Sequence, residues 1–205
     1  MPLTVLIPPV SNNLTTAETV ARELLLTDEH LVVGISELIP MASAACASYC
    51  NRVEGFGEAV VRQTERLASA RDCIILARDL NVVLAGVVGD YTLGVVEAGT
   101  TLGADEYELD AGGLLYRLSD DERTNWEPGL VTITYKAGYA LLDDLPWDIE
   151  RACILTVAEM HAQRGGNPGL RSQNNGLMAE TFMTPVAGVP PQAARLLDPW
   201  RRFAL

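Results

Sequence analysis

A chain of 205 residues, 48% apolar and 20% charged, is long enough for one domain with a sizeable core, or for a domain carrying an inserted subdomain. A formal net charge of −12 excludes a general affinity for nucleic-acid backbones, which is built from excess Lys and Arg. No stretch approaches the roughly 20 apolar residues of a membrane helix, and the opening "MPLTVLIPPVSNN" lacks the basic region and apolar run of a secretory signal, so the expected location is the cytoplasm or an assembled particle.

The first element is a helix over "TTAETVARELLL". Thr15 with Glu18 fits a capping box, and Ala17, Val20, Ala21, Leu24 and Leu25 make an apolar face at helical spacing. A second helical stripe follows in Leu31, Ile35, Leu38, Ile39, Ala42, Ala45, Cys46 and Tyr49, capped by Thr27 or Asp28. Pro40 interrupts it and implies a kink or a restart there. The small residues of "ASAACAS" permit close approach by a neighbouring helix or subunit, and equally suit an ordinary alanine-rich core.

From about residue 59 to 140 the period changes. "EAVVRQTERL" is compatible with helix or strand, since short apolar runs do not decide between them. "DCIILARDLNVVLAGVVGDYTLGVV" is β-branched and punctuated by Gly, which suits strands and turns. In "EYELDAGGLLYRL" the residues Tyr107 and Leu109 point one way and Glu106, Glu108 and Asp110 the other. Gly112 and Gly113 supply the turn, and Leu114, Tyr116 and Leu118 continue the apolar face on the return strand. Val131, Ile133 and Tyr135 do so on a third strand. A small, mostly antiparallel sheet with one buried face is expected.

Helical period returns in "LPWDIERACILTVAEMHAQRGGNP", with Pro146 in the first turn, a core stripe of Ile149, Ala152, Cys153, Val157 and Met160, and a stop at Gly165, Gly166 and Pro168. Beyond it the Pro, Gly and Asn content suggests an extended arm. Five arginines against two carboxylates make residues 161–205 net +3 and leave −15 on the rest, so a basic tail follows an acidic body. The fold class is α+β: a helical bundle (1–58 and 141–166), an inserted antiparallel β subdomain (59–140) and a C-terminal arm (167–205).

Convergent chemistry is sparse. His30 and His161 sit in no metalloprotease or nucleophile-elbow motif, no serine lies in G-x-S-x-G, and no phosphate-cradling glycine loop is present. Cys46 and Cys50 share a helix face, which could begin a metal site, but structural zinc draws four ligands from paired clusters and no second cluster exists. The acidic runs at Asp120–Glu122 and Asp143–Asp144 read as solvated turns, the four cysteines as buried free thiols, and Trp126, Trp147 and Trp200 as packing or interface anchors. No catalytic residue, metal or cofactor is assigned, and an enzyme is not expected.

The order of "LIPMASAACASYCNR", the β block with "EYELDAGGLLYRL" and "VTITYKAGY", and the helix "LPWDIERACILTVAEMH" resembles the head-tail connector, or adaptor, proteins of long-tailed bacteriophages and phage-derived gene transfer agents. The terminal "RLLDPWRRF" is similar to the ending of phage head-tail joining proteins. The resemblance implies a virion protein made in the bacterial cytoplasm. It implies a ring of twelve copies between the portal protein and a stopper or tail-completion protein, with DNA passing through without specific binding. It further implies portal binding through Arg195, Leu196, Leu197, Trp200, Arg201, Arg202 and Phe203. A segment that instead folds back on its own core is the competing reading of those residues. Competing readings of the whole chain are a stopper or tail-completion neck protein and a small α+β enzyme.

Overall fold

The computed structural model describes residues 3–26, 34–52, 54–110, 112–164, 172–174, 179–181 and 188–202, and the chain is α+β. Its contacts divide it into a β unit, Met1–Val10 with Gly57–Tyr139, and a helical unit, Ser11–Phe56 with Ala140–Leu205.

The β unit holds β1 (Leu3–Ile7), β2 (Ala59–Leu67), β3 (Cys73–Ile75), β4 (Gly86–Val88), β5 (Tyr91–Glu97), β6 (Thr100–Thr101), β7 (Tyr107–Leu109), β8 (Leu114–Ser119), β9 (Glu122–Thr124) and β10 (Gly129–Ala137). One sheet runs β1-β2-β10-β5-β4 with β6 on β5; the other runs β3-β8-β7 with β9 on β8. All of these strand pairs are antiparallel. The ambiguous run Ala59–Leu67 is a strand because β10 pairs with it along its whole length, Ala59 opposite Ala137 through Leu67 opposite Gly129. That register turns Ala59, Val61 and Leu67 inward together with Val131, Ile133, Tyr135 and Ala137. Ile74, Leu76, Leu115 and Trp126 join the same core, and burial of each large apolar side chain is worth roughly 1.5–3 kcal/mol.

Gln63 and the Tyr135 hydroxyl lie inside this core, each with hydrogen-bond partners. Gln63 donates to the Ile75 carbonyl at 2.9 Å and accepts from the Ala77 N–H at 2.7 Å. Tyr135 donates its hydroxyl proton to Gln63 at 3.2 Å and accepts from the Arg78 N–H at 3.0 Å. Such a closed set fixes the position of β3 and the following loop relative to β2 and β10, because any slip would strand a buried donor or acceptor.

Leu3–Ile7 was expected in the helical core. It forms β1 instead, pairing with Gln63 through Val60 of β2, so the N-terminal ten residues belong to the β unit. Its five-residue run, rich in β-branched residues, is too short to register as a period, and only the partner strand reveals it. The hairpin in "EYELDAGGLLYRL" is present, with Gly113 at φ +75 and its N–H donating to the Asp110 carbonyl at 3.0 Å. An added Cβ at Gly113 would sit 2.6 Å from Asp79 Cβ, so glycine is required by both backbone and space.

The faces of the return strand differ from expectation. Leu109 opposes Leu115 and Tyr107 opposes Arg117, so Leu115 shares the inner face and is fully buried. Leu114, Tyr116 and Leu118 lie on the opposite face, half-buried, where Tyr116 carries the Arg123 guanidinium 3.9 Å from its ring centroid. The reason is the turn length: one residue more or less in the connection inverts every side chain of the following strand. Asp120 and Asp121, both at positive φ, form the two-residue turn joining β8 and β9.

The helical unit holds α1 (Ala17–Glu23), α2 (Leu38–Tyr49), α3 (Trp147–Gln163) and α4 (Pro191–Leu197), with a short hairpin of β11 (Ser172–Asn174) and β12 (Ala179–Thr181). The cap of α1 is Thr16, whose hydroxyl accepts from the Thr19 N–H at 3.1 Å. Thr15, the expected cap, donates instead to Glu150 at 3.2 Å. Val20 and Ala21 are buried as expected, whereas α1 ends before Leu25, which adopts φ +54 and is exposed. Residues 34–36 are helical, a turn at Glu37 follows, and α2 restarts at Leu38. Pro40 therefore sits in a first helical turn, where its missing N–H has no intrahelical partner to lose. The expected caps Thr27 and Asp28, together with Leu31 and the stop at Gly165, Gly166 and Pro168, lie outside the described residues.

On α3 the predicted stripe is realised in Ile149, Ala152, Cys153 and Val157, all fully buried, with Met160 half-buried. Asp148 and Glu150 in its first turn and His161 in its last complement the helix dipole. Ile154 and Thr156 are buried as well; α3 packs against α1, α2 and α4, with Thr156 facing Cys46 of α2.

The register of β8 is open to direct measurement by urea denaturation. Leu115→Ala should cost about 2–5 kcal/mol, the range for emptying a buried leucine site, and Leu114→Ala less than half of that. Equal losses, or a larger loss at Leu114, would contradict the assigned faces.

Candidate docking surface

The seven C-terminal residues singled out in the sequence are placed by α4 and the 3₁₀ turn Asp198–Trp200 that follows it. Pro190 and Pro191 start α4, since proline is pre-set for a first helical turn. Ala193, Ala194 and Leu197 face inward and are buried, so Leu197 is a packing residue of the helical unit. Arg195 and Arg201 are exposed, and Leu196, Trp200 and Arg202 are half-buried. Phe203 lies outside the described residues.

The segment after α4 is tied to the C-terminal end of α2 by a series of polar contacts. Tyr49 donates its hydroxyl proton to Asp198 at 2.6 Å, and the Arg201 guanidinium lies 5.1 Å from the Tyr49 ring centroid and 3.9 Å from Asp198. Arg52 donates to the Trp200 carbonyl at 3.1 Å, the Arg202 N–H donates to the Cys50 carbonyl at 2.9 Å, and Asn51 donates to the Arg202 carbonyl at 2.9 Å. Arg202 also pairs with Glu54 at 3.3 Å. Three of these groups, Cys50, Asn51 and Arg52, follow directly on α2, where a helix end leaves carbonyl groups that such contacts satisfy. The sequence reading found the segment but missed Tyr49, Asn51, Arg52 and Glu54 as its receivers. Glu54, a carboxylate shortly after a helix end, was the one visible signal.

The outcome is a mixed surface: Arg195 and Arg201 face solvent beside the half-buried Leu196, Trp200 and Tyr49. Arg195 makes no ion pair among the described residues, and aromatic and Arg side chains of this kind are the usual anchors of protein interfaces.

Elsewhere the acidic row of the β unit is engaged internally. Arg117 pairs with Glu97 at 3.0 Å and Glu106 at 3.2 Å, and Arg123 with Glu108 at 2.8 Å. The Arg123 hydrogen bond holds the Glu108 carboxyl below its ordinary range. Trp126 is a packing residue whose indole donates to the Leu115 carbonyl at 3.1 Å, whereas Trp147 is 67% exposed. An open cavity of about 250 Å³ beside α2, lined by Asn12, Asn13, Pro40, Ala44, Ser48 and Phe56 among others, contains no ionisable side chain. Among the described residues no three His, Cys, Asp or Glu side chains converge as metal ligands. His30 lies outside the described residues.

Neither a protein-family model nor a curated protein sequence matches the chain. Solved structures of gene transfer agent particles are similar to it. A chain from the virion of a native gene transfer agent particle aligns over 100% of this chain and 97% of its own length, at 17% identity and a TM-score of 0.53. A chain from the neck of an empty gene transfer agent particle aligns over 100% and 97%, at 19% identity and a TM-score of 0.49. The first establishes a shared fold.

The tie between Tyr49 and Asp198 yields a pH-dependent expectation. Donation to Asp198, then burial, raises the Tyr49 phenol above its ordinary value of 10.0. A group raised in the folded state stabilises fully below its unfolded value and loses that contribution as pH rises through the folded one. Tyr49→Phe should therefore cost about 0.5–1 kcal/mol at pH 8, modest because the site is largely solvated, and the gap from wild type should close above pH 10. A gap that persists or widens there would remove this hydrogen bond from the account.

Proposed function

We propose that this chain is a structural head-tail connector subunit, an adaptor, of a phage or phage-like particle. Copies of it, twelve by the resemblance, form a ring between the portal protein and a stopper or tail-completion protein and give passage to DNA. The observation that carries this reading is the whole-length fold match to a chain of a gene transfer agent virion, over 100% of this chain and 97% of that one. The order of motifs in the sequence supports the same assignment independently.

The physical features suit the task. A ring is one heterologous interface repeated until the rotation closes, so each copy needs two unlike complementary faces and no active site. Residues 1–160 carry a formal −15, and an acidic surface repeated round a channel repels phosphate and lets DNA slide. The basic, aromatic surface of Arg195, Leu196, Trp200 and Arg201 is the face offered to the portal. Leu197 contributes by holding α4 in place and Arg202 by tying the segment to Glu54 and Cys50. The particle is assembled from subunits made in the bacterial cytoplasm.

Electron microscopy of purified particles tests the location: a ring of this chain directly beneath the portal is expected, and density at the tail-proximal side alone would favour a stopper or tail-completion role. The docking face is tested by charge reversal, because truncation after Pro190 would also remove the buried side chains of α4. The double substitution Arg195→Glu with Arg201→Glu should weaken portal binding at least tenfold while lowering thermal stability only slightly, through the solvent-exposed Arg201 contacts to Asp198 and Tyr49. Unaltered binding would take these residues out of the interface.

A further inference from the structure

Two of the four cysteines face each other across the α2–α3 packing. Cys46 on α2 and Cys153 on α3 are both fully buried. Ser43 Oγ lies 3.5 Å from Cys153 Sγ, and Cys46 Sγ lies 3.8 Å from Thr156 Oγ1. Ser43 and Cys46 are one turn apart on α2, and Cys153 and Thr156 are one turn apart on α3, so the four side chains interleave in a single layer. The two thiols are thereby neighbours across the helix packing, Cys153 beside Ser43 of α2 and Cys46 beside Thr156 of α3. Ala42 and Ala152, both fully buried, are small neighbours that let the helix backbones approach, and a disulfide needs Cα atoms within about 7 Å.

The layer also distinguishes the two sulfurs. Hydrogen bonding from Cys46 and from Ser43 favours the Cys153 thiolate, while the same contact with Cys153, reinforced by burial, holds Cys46 as a thiol. Cys50 is not a competing partner: burial pushes it up to about 12, and its thiol is directed to the Leu197 carbonyl at 3.8 Å. Cys73 lies on β3 in the other unit.

We infer that Cys46 and Cys153 form an oxidisable dithiol, which two-electron oxidants of the hydroperoxide class convert to a disulfide joining α2 to α3. The Cys153 thiolate attacks one peroxide oxygen, the O–O bond breaks, and the departing hydroxide takes a proton and leaves as water, placing a sulfenic acid on Cys153. The Cys46 sulfur then attacks the Cys153 sulfur, the S–O bond breaks, and the hydroxide released takes the Cys46 proton as a second water. Two thiols lose two electrons and one peroxide gains them. Both sulfurs are shielded from solvent, so the reaction proceeds through local openings and is slow. The bond closes a loop from residue 46 to 153 that contains the whole of Gly57–Tyr139, which restricts the unfolded chain far more than the folded one. On the connector reading this is a latch: dithiol during assembly in a reducing cytoplasm, disulfide once the particle is released. The chemistry itself does not depend on that reading.

The test uses the purified full chain, reduced, freed of reductant and exposed to hydrogen peroxide. Free thiols should fall from four to two, with a Cys46–Cys153 cross-linked peptide by mass spectrometry. Tm should rise by about 5–10 °C and return on addition of dithiothreitol. Cys50→Ser should behave as wild type and Cys153→Ser should retain all three remaining thiols. Four surviving thiols, a disulfide mapped to Cys50 or Cys73, or bonds only between chains would overturn the proposal. Because the readout is intramolecular, oxidation as described in a chain absent from the particle neck would leave this inference standing and remove the connector reading alone.

Discussion

The nine-residue pairing of Ala59–Leu67 with Gly129–Ala137 joins the two ends of a segment of more than eighty residues, and the rest of the β unit hangs on it. It brings the entry and exit of that segment together, so that Gly57 pairs with Tyr139 and the Glu58 N–H donates to the Tyr139 carbonyl at 2.8 Å. Gly138 is required at this junction: at φ +110, an added Cβ would collide with the Gly57 carbonyl. Arg78, buried, donates to the same carbonyl at 2.7 Å, which satisfies an acceptor that the close approach would otherwise leave unpaired. With entry and exit closed in this way, the helical sequence on either side is free to fold as one unit, because the interruption costs it little more than the closure of a short loop.

A second dependence runs through α4. Its inward face of Ala193, Ala194 and Leu197 is small and apolar, and the polar contacts that follow it all land on the last turn of α2 and the residues just after it. The residues that give the C-terminal segment its interface character are thus divided between two tasks: some anchor the segment to its own unit, and others remain available at its surface. A preorganised surface loses less entropy on docking than a segment that must order first, and in a ring that advantage is repeated at every copy.

Much of this was legible in residue order. The alternation of Val131, Ile133 and Tyr135 and the 3.6-residue stripe of Ile149, Ala152, Cys153 and Val157 each record a burial pattern inside one element, where neighbours along the chain share the same environment. Pro146 and the Gly112–Gly113 turn were likewise readable, since proline and glycine act on their own backbone. The candidate surface was legible as a set of residues but not as a shape: nothing local distinguishes Leu197, which packs, from Leu196, which is half-buried beside it. Thr15 and Thr16 present the same difficulty at the start of α1, where the cap is decided by which hydroxyl has another partner, here Glu150 of α3.

Period, charge distribution and the type of the long periodic elements were therefore determined by the sequence by itself, because each follows from interactions within a few residues. Tertiary structure alone decided that Leu3–Ile7 is a strand, that Leu115 and not Leu114 enters the core, that α4 folds against α3, and that Cys46 meets Cys153. Every one of these depends on a partner dozens of residues away. A partner of that kind leaves no periodic trace in the segment it meets.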